Sequence, residues 1–238
     1  MMPDFSKRSD ATEIMDDLNC SGEVVRQTLV ELEFINKWLG GNSVTLGGLN
    51  MLLASKEFNP SVPLKIADLG CGGGDMLKLL DKHLKKEKLQ TRLIGFDANP
   101  NIIAFAWVNS SDHLDITYDT LDILSDEFKS KPCDVFFATL FFHHFTSDQL
   151  VEILASLRKQ ATIGIVINDL HRHWLAYYSI KILTKLFSRS SMVKYDAPLS
   201  VLRGFKRGEL IEILQKAGIK NYSLKWKWAF RWQLIIFV

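Results

Sequence analysis

Cysteine is scarce: Cys20, Cys71 and Cys133 are the three in 238 residues, odd in number and far apart. That excludes a disulfide framework and offers no zinc spacing, and it suits a reducing compartment. An excess of charge of either sign is missing too. The 29 Lys and Arg against 27 Asp and Glu leave a net charge of +2, too little to demand a polyanion, so no nucleic acid is expected as partner. Long apolar runs are also lacking: Val135 to Phe142 is stopped by His143 and His144, and Trp174 to Phe187 is broken by Lys181 and Lys185. No membrane span is therefore expected. The opening stretch MMPDFSKRSDATEIMDD has no signal-peptide core, so the expected location is cytoplasmic. There is no internal repeat either, which removes solenoids and propellers.

What is present is an ordinary globular balance, 47% apolar and 24% charged, in a chain of the right length for one α/β domain with an addition. The addition is residues 1 to 60, a helical lead-in or cap. Ser21 and Gly22 precede a periodic stretch ended by Gly40 and Gly41, a second helical piece runs from Val44 to Lys56, and Asn59, Pro60 and Pro63 break the chain. From 61 to 238 strands and helices alternate. The strands are 64–69, 92–96, 115–118, 133–139 and 163–168, and the helices 75–84, 100–109, 147–160 and 207–217. Alternation of this kind predicts a doubly wound, mostly parallel sheet with helices on both faces. The last two runs, Tyr222 to Trp228 and Phe230 to Val238, have almost nothing between them, so the seventh strand is expected to be antiparallel. The KWKWAFRW pattern that overlaps both runs reads as strand with one buried face. Residues 171 to 205 are an insertion that predicts a helical lid near the substrate rim.

The chemistry centres on Ile66 to Asp75, IADLGCGGGD, where a strand meets a tight glycine turn and a helix N-terminus. Such a turn lets the backbone approach a nucleotide-like ligand. Asp75 opposes a pyrophosphate at that helix N-terminus, and with Asp68 it favours a cationic or zwitterionic group instead. A second strand ends in LIGFDANP, placing Asp97 where a ribose-binding acid is expected.

These motifs, with Asp122 in the loop after a third strand, resemble class I S-adenosylmethionine-dependent methyltransferases over about residues 60 to 238. The resemblance implies a Rossmann-like seven-stranded sheet and S-adenosylmethionine as cofactor. It implies contacts from Asp68, Gly70, Cys71, Gly72 and Gly74 of the loop, Asp97 and Ala98 at the ribose, Asp122 and Ile123 at the adenine, and Leu140 near the methyl group. Enzymes of the family that methylate nucleobase amino groups usually carry an Asn- or Asp-Pro-Pro-aromatic signature after the fourth strand. CDVFFATLFFHHF stands there instead, which is similar to small-molecule methyltransferases. NDLHRHWLAYY and LRGF resemble methyltransferases encoded near polyketide synthases, and imply a phenolic or quinol acceptor.

A phenol is mostly protonated at neutral pH, and histidine is the natural group to take its proton. His144 is the expected base, with His143 kept open because adjacent residues at a strand end diverge. Asp169 and His171, after the fifth strand, are expected on the same rim, Asp169 to orient a catalytic histidine; both serve equally well as caps of the helix from Trp174. Phe141, Phe142 and Trp38 are candidate walls. No metal is expected. The expected function is methyl transfer to an oxygen of an apolar aromatic small molecule by a monomer or homodimer, with carbon methylation of a quinone precursor, or cofactor binding without turnover, as alternatives.

Overall fold

The computed structural model describes residues 3–56 and 62–238. The expected boundary at residue 60, with Asn59 and Pro60, lies outside the described residues. Two helices lead in, α1 (Glu23–Trp38) and α2 (Gly41–Ala54). Then follow β1 (Leu64–Leu69), α3 (Asp75–Lys86), β2 (Thr91–Asp97), α4 (Pro100–Asn109), β3 (Ile116–Thr120), β4 (Cys133–Thr139), α5 (Ser147–Gln160) and β5 (Ala161–Leu170). The chain ends with α6 (Trp174–Phe187), α7 (Ser191–Arg203), α8 (Arg207–Lys216), β6 (Tyr222–Lys227) and β7 (Arg231–Phe237).

The seven strands form one sheet in the order β3-β2-β1-β4-β5-β7-β6. The first five run parallel, and β7 is antiparallel to both of its neighbours. This is the doubly wound, Rossmann-like sheet that the alternation predicts. Side chains of alternate residues serve opposite faces. Phe136, Ile165 and Leu234 meet α5 and α8 through Leu154, Leu157 and Leu214. Val135, Val166 and Ile235 meet α2 and α3 through Leu52, Leu77 and Leu80. Each such fully buried aliphatic side chain contributes about 1.5–3 kcal/mol.

Local chemistry sets the helix starts that matter for the site. Asn99 caps α4 by accepting from the amides of Asn101 and Ile102, with Pro100 at the first position. Thr146 and Gln149 form a reciprocal capping box at α5. Two boundaries differ from the sequence pattern. Gly41, expected to end the first helical stretch, instead opens α2: Gly40, left-handed at φ 73°, makes the break, and a side chain at Gly41 would strike Asn36 and Arg231. The third strand, expected over 115–118, runs on to Thr120, so Asp119 lies within β3 and pairs with Lys131. No helix among the described residues is long and apolar enough to cross a membrane.

The N-terminal segment before α1 is the unforeseen part of the fold. It runs as a strap across the carboxyl end of the sheet, carrying a one-turn 3-10 helix, Ile14–Asp16. Arg8 donates to the carbonyls of Arg203, His143 and Phe145. The amides of Ile14 and Met15 donate to the two oxygens of Asp196.

Candidate functional site

The strand order reverses between β1 and β4, and ligands of such sheets sit outside the carboxyl ends of the strands at that point. A cleft of about 770 Å³ lies there. One wall is the glycine turn. Gly70, Gly72 and Gly74 have φ of 65°, 50° and 77°, a region that other residues enter only with strain. A Cβ on Gly70 would stand 2.2 Å from the Phe141 ring. Gly70→Ala is therefore expected to cost at least about 1–2 kcal/mol, visible as a lowered melting temperature.

Three carboxylates gather around this turn. Asp97 accepts from the amides of Gly72 (3.3 Å) and Asn99 (3.0 Å). Burial lifts its carboxyl above the usual range. Asp68 is almost wholly buried, and burial, then the charges of Asp75 and Asp97, push its carboxyl well up. Asp75 is pushed up to about 6 by burial and then by Glu33. Carboxylates crowded so that Asp75 and Asp97 raise Asp68 are relieved by a positive charge, so the chemistry of this wall fits an ammonium or sulfonium group.

The sequence-predicted cofactor residues mostly converge. Asp68, Gly70, Cys71, Gly72, Asp97, Ala98, Asp122, Ile123 and Leu140 all line the cleft. Gly74 does not; it caps α3, where a Cβ would meet the Tyr118 hydroxyl. Leu140 is a non-glycine residue at φ 55°, a strained conformation that tends to occur at functional sites. Its amide is held by the Asn168 carbonyl (2.8 Å).

The opposite wall carries the histidines. His143 and His144 lie in a 3-10 turn, Phe142–His144, and both line the cleft. Nδ1 of His143 donates to Asp169 (2.7 Å), and Nδ1 of His144 donates to Asp16 (2.5 Å). Asp169 thus orients a histidine of the wall, and that histidine is His143; it sits behind the ring and not in the cleft. Burial works against its charge, but His143 holds its carboxyl below the ordinary range. Asp16 is held well below that range, despite burial, by His144 and Arg203.

His171 is not brought to the cleft. Strand β5 continues to Leu170, paired there with Arg231, and this carries His171 past the rim. Its Nδ1 accepts from Trp226 (3.2 Å), and its ring packs edge-on against Trp232. Of the candidate walls, Phe141 lines the cleft, Phe142 is in the core and Trp38 is 76% exposed. From the expected lid region, Arg203 reaches the cleft and α6 does not.

Sequence reasoning missed the strap. Glu13 is buried, with one carboxylate oxygen accepting from Ser200 (2.9 Å) and the other 3.6 Å from Nε2 of His143. Burial lifts its carboxyl to about 7, against the pull of His144. The spacing of Glu13 and Asp16 by one helical turn was the available signal, but nothing local ties them to residues 130 positions away.

Comparison with known proteins agrees with this geometry. Residues 66–162 match the methyltransferase domain family model. No curated protein sequence matches the chain. Among solved structures it is similar to human N-acetylserotonin methyltransferase in complex with S-adenosylmethionine, at 17% identity and TM-score 0.59, covering 90% of this chain and 55% of that one. It is also similar to the CurJ carbon methyltransferase, at 19% identity and TM-score 0.60, covering 82% and 53%. A third is the plantazolicin methyltransferase BamL, at 16% and 0.61, covering 84% and 71%. The chain thus spans little more than half the length of the first two, and at these identities the likeness is one of fold. Residues 66–162 thus match a methyltransferase domain, and the sheet that contains them has the fold of these methyltransferases of known structure.

Proposed function

We propose that the chain transfers a methyl group from S-adenosylmethionine to an oxygen of an apolar, aromatic small molecule of phenolic or quinol type. The observation that carries this reading is the polarity of the cleft: three carboxylates on the β1 and β2 side, Asp68 buried and Asp75 and Asp97 half-buried, face a histidine wall on the β4 side. Asp97 is suited to ribose hydroxyls, Asp122 and Ile123 to the adenine, and Asp68 with the glycine turn to the ammonium end. When bound, the cofactor supplies a methyl group activated by its sulfonium charge.

The chain's own work is to bind, orient and exclude water. Phe141 and Phe145, in edge-to-face contact at 5.0 Å, with Met15 and Leu29 give the cleft an apolar side for an aromatic ring. The acceptor hydroxyl meets the histidine wall, where His143 and His144 both line the cleft.

Calorimetry with S-adenosylhomocysteine and with NAD tests the cofactor: binding of the first and not the second is expected, and NAD alone would sink the reading. His143→Ala is expected to leave S-adenosylhomocysteine affinity unchanged while slowing methyl transfer to a phenolic acceptor at least 10²-fold. An unchanged rate would remove His143 from the reaction.

A further inference from the structure

Glu13, His143 and His144 come together in a way that the methyltransferase fold does not require. One ligand atom from each lies within 4.8 Å of the other two. Glu13 Oε1 and His143 Nε2 are both buried and both without a hydrogen-bond partner. Leaving two such polar atoms unpaired costs about 1–3 kcal/mol each. Their separation of 3.6 Å is too long for a hydrogen bond. It is close to the distance of about 3.3 Å that bonds of 2.0–2.1 Å impose on two ligands of one tetrahedral ion.

Each of the three side chains is also fixed from behind. Ser200 holds the other oxygen of Glu13, Asp169 holds Nδ1 of His143 and Asp16 holds Nδ1 of His144. A carboxylate behind an imidazole is the arrangement that orients metal-ligating histidines and raises their basicity. The local charge suits a cation: Glu13, Asp16 and Asp169 are three carboxylates against the two guanidinium groups of Arg8 and Arg203. Arg203 Nε lies 3.8 Å from Glu13 Oε1, but it donates to the His143 carbonyl, and the other two nitrogens donate to Asp16, Ala11 and His144.

We propose that Glu13, His143 and His144 bind a divalent transition-metal ion, held between the strap and the turn after β4, beside the cleft that His143 and His144 line. Two imidazoles and a carboxylate suit zinc and its first-row neighbours and do not suit magnesium or calcium. The ion's role rests on the proposed methyl transfer, whereas the site itself rests on geometry alone. A cation there draws charge from the acceptor oxygen, so that its proton leaves to water as the new C–O bond forms and the C–S bond of the cofactor breaks. The histidine wall then acts through the ion it holds.

The test is titration of the chelator-treated full chain with cobalt(II), read by its visible absorption, and with zinc(II) by calorimetry. S-adenosylhomocysteine affinity and melting temperature are measured alongside. One equivalent of metal is expected to bind. Affinity is expected to fall at least tenfold in Glu13→Gln and in His144→Ala, and 10- to 100-fold in Asp169→Asn, which touches the ion only through His143. Absence of metal binding in a chain that binds S-adenosylhomocysteine would overturn the site, as would binding that Glu13→Gln and His144→Ala both leave unchanged. Metal binding without S-adenosylhomocysteine binding would leave the site standing and overturn the methyltransferase reading.

Discussion

Asp97→Ala is expected to abolish measurable S-adenosylhomocysteine binding while the chain stays folded. A carboxylate that accepts two ribose hydroxyls makes two charge-assisted hydrogen bonds, each about 1.5–3 kcal/mol. Losing both weakens binding by roughly 3–6 kcal/mol, about 10²- to 10⁴-fold. The same side chain also holds the turn, since it accepts from the amides of Gly72 and Asn99, so the loss falls at the upper end. Asp97→Asn separates the two contributions: it keeps an acceptor oxygen for the turn and loses the charge, and intermediate affinity is expected. Calorimetry gives the affinities, and a melting temperature without ligand gives the structural part. Wild-type affinity in Asp97→Ala would remove Asp97 from the ribose site.

That prediction comes from a part of the chain whose arrangement is local. Ile66 to Asp75 is one strand, one turn and one helix start, and the glycines and the apolar run fix their geometry without help from elsewhere. Asp97 follows because β2 pairs beside β1, with Leu69 opposite Phe96. The histidine wall was legible in composition and not in pairing. Which of His143 and His144 turns toward Asp169 is decided by the 3-10 turn and by a contact spanning 26 residues. The alternation pattern placed β5 correctly but ended it at Asn168, and two further residues of pairing with β7 are enough to carry His171 out of the cleft. The strap was illegible because its anchors are Asp196, Ser200 and Arg203, more than 180 residues away. A polar sequence without periodicity carries no signal of where it docks.

Arg172→Met is expected to be the most destabilising single change in the rim motif Asn168 to His173. The Arg172 side chain is completely buried, and its three nitrogens spend all five N–H donors. Nε donates to the Phe5 carbonyl, one terminal nitrogen to Gly204 and Glu209, and the other to Ser6 and Glu209. Methionine fills much of the volume but leaves three carbonyls and a carboxylate without their donor. Breaking a buried ion pair from one side costs about 3–5 kcal/mol. Glu209 retains 29% exposure, so water recovers part of its loss and about 3 kcal/mol is expected. That is a large share of a domain stability of about 5–15 kcal/mol. Arg172→Lys should recover little, because an ammonium cannot reproduce the planar fork that reaches both Glu209 oxygens. Urea unfolding with fixed slope measures the change, and a shift below about 1 kcal/mol would contradict this account. The consequence reaches the site, because Phe5 and Ser6 begin the strap that carries Arg8, Glu13 and Asp16. Loss of Arg172 is expected to free that strap, so limited proteolysis should cut ahead of α1 in the variant well before the sheet unfolds.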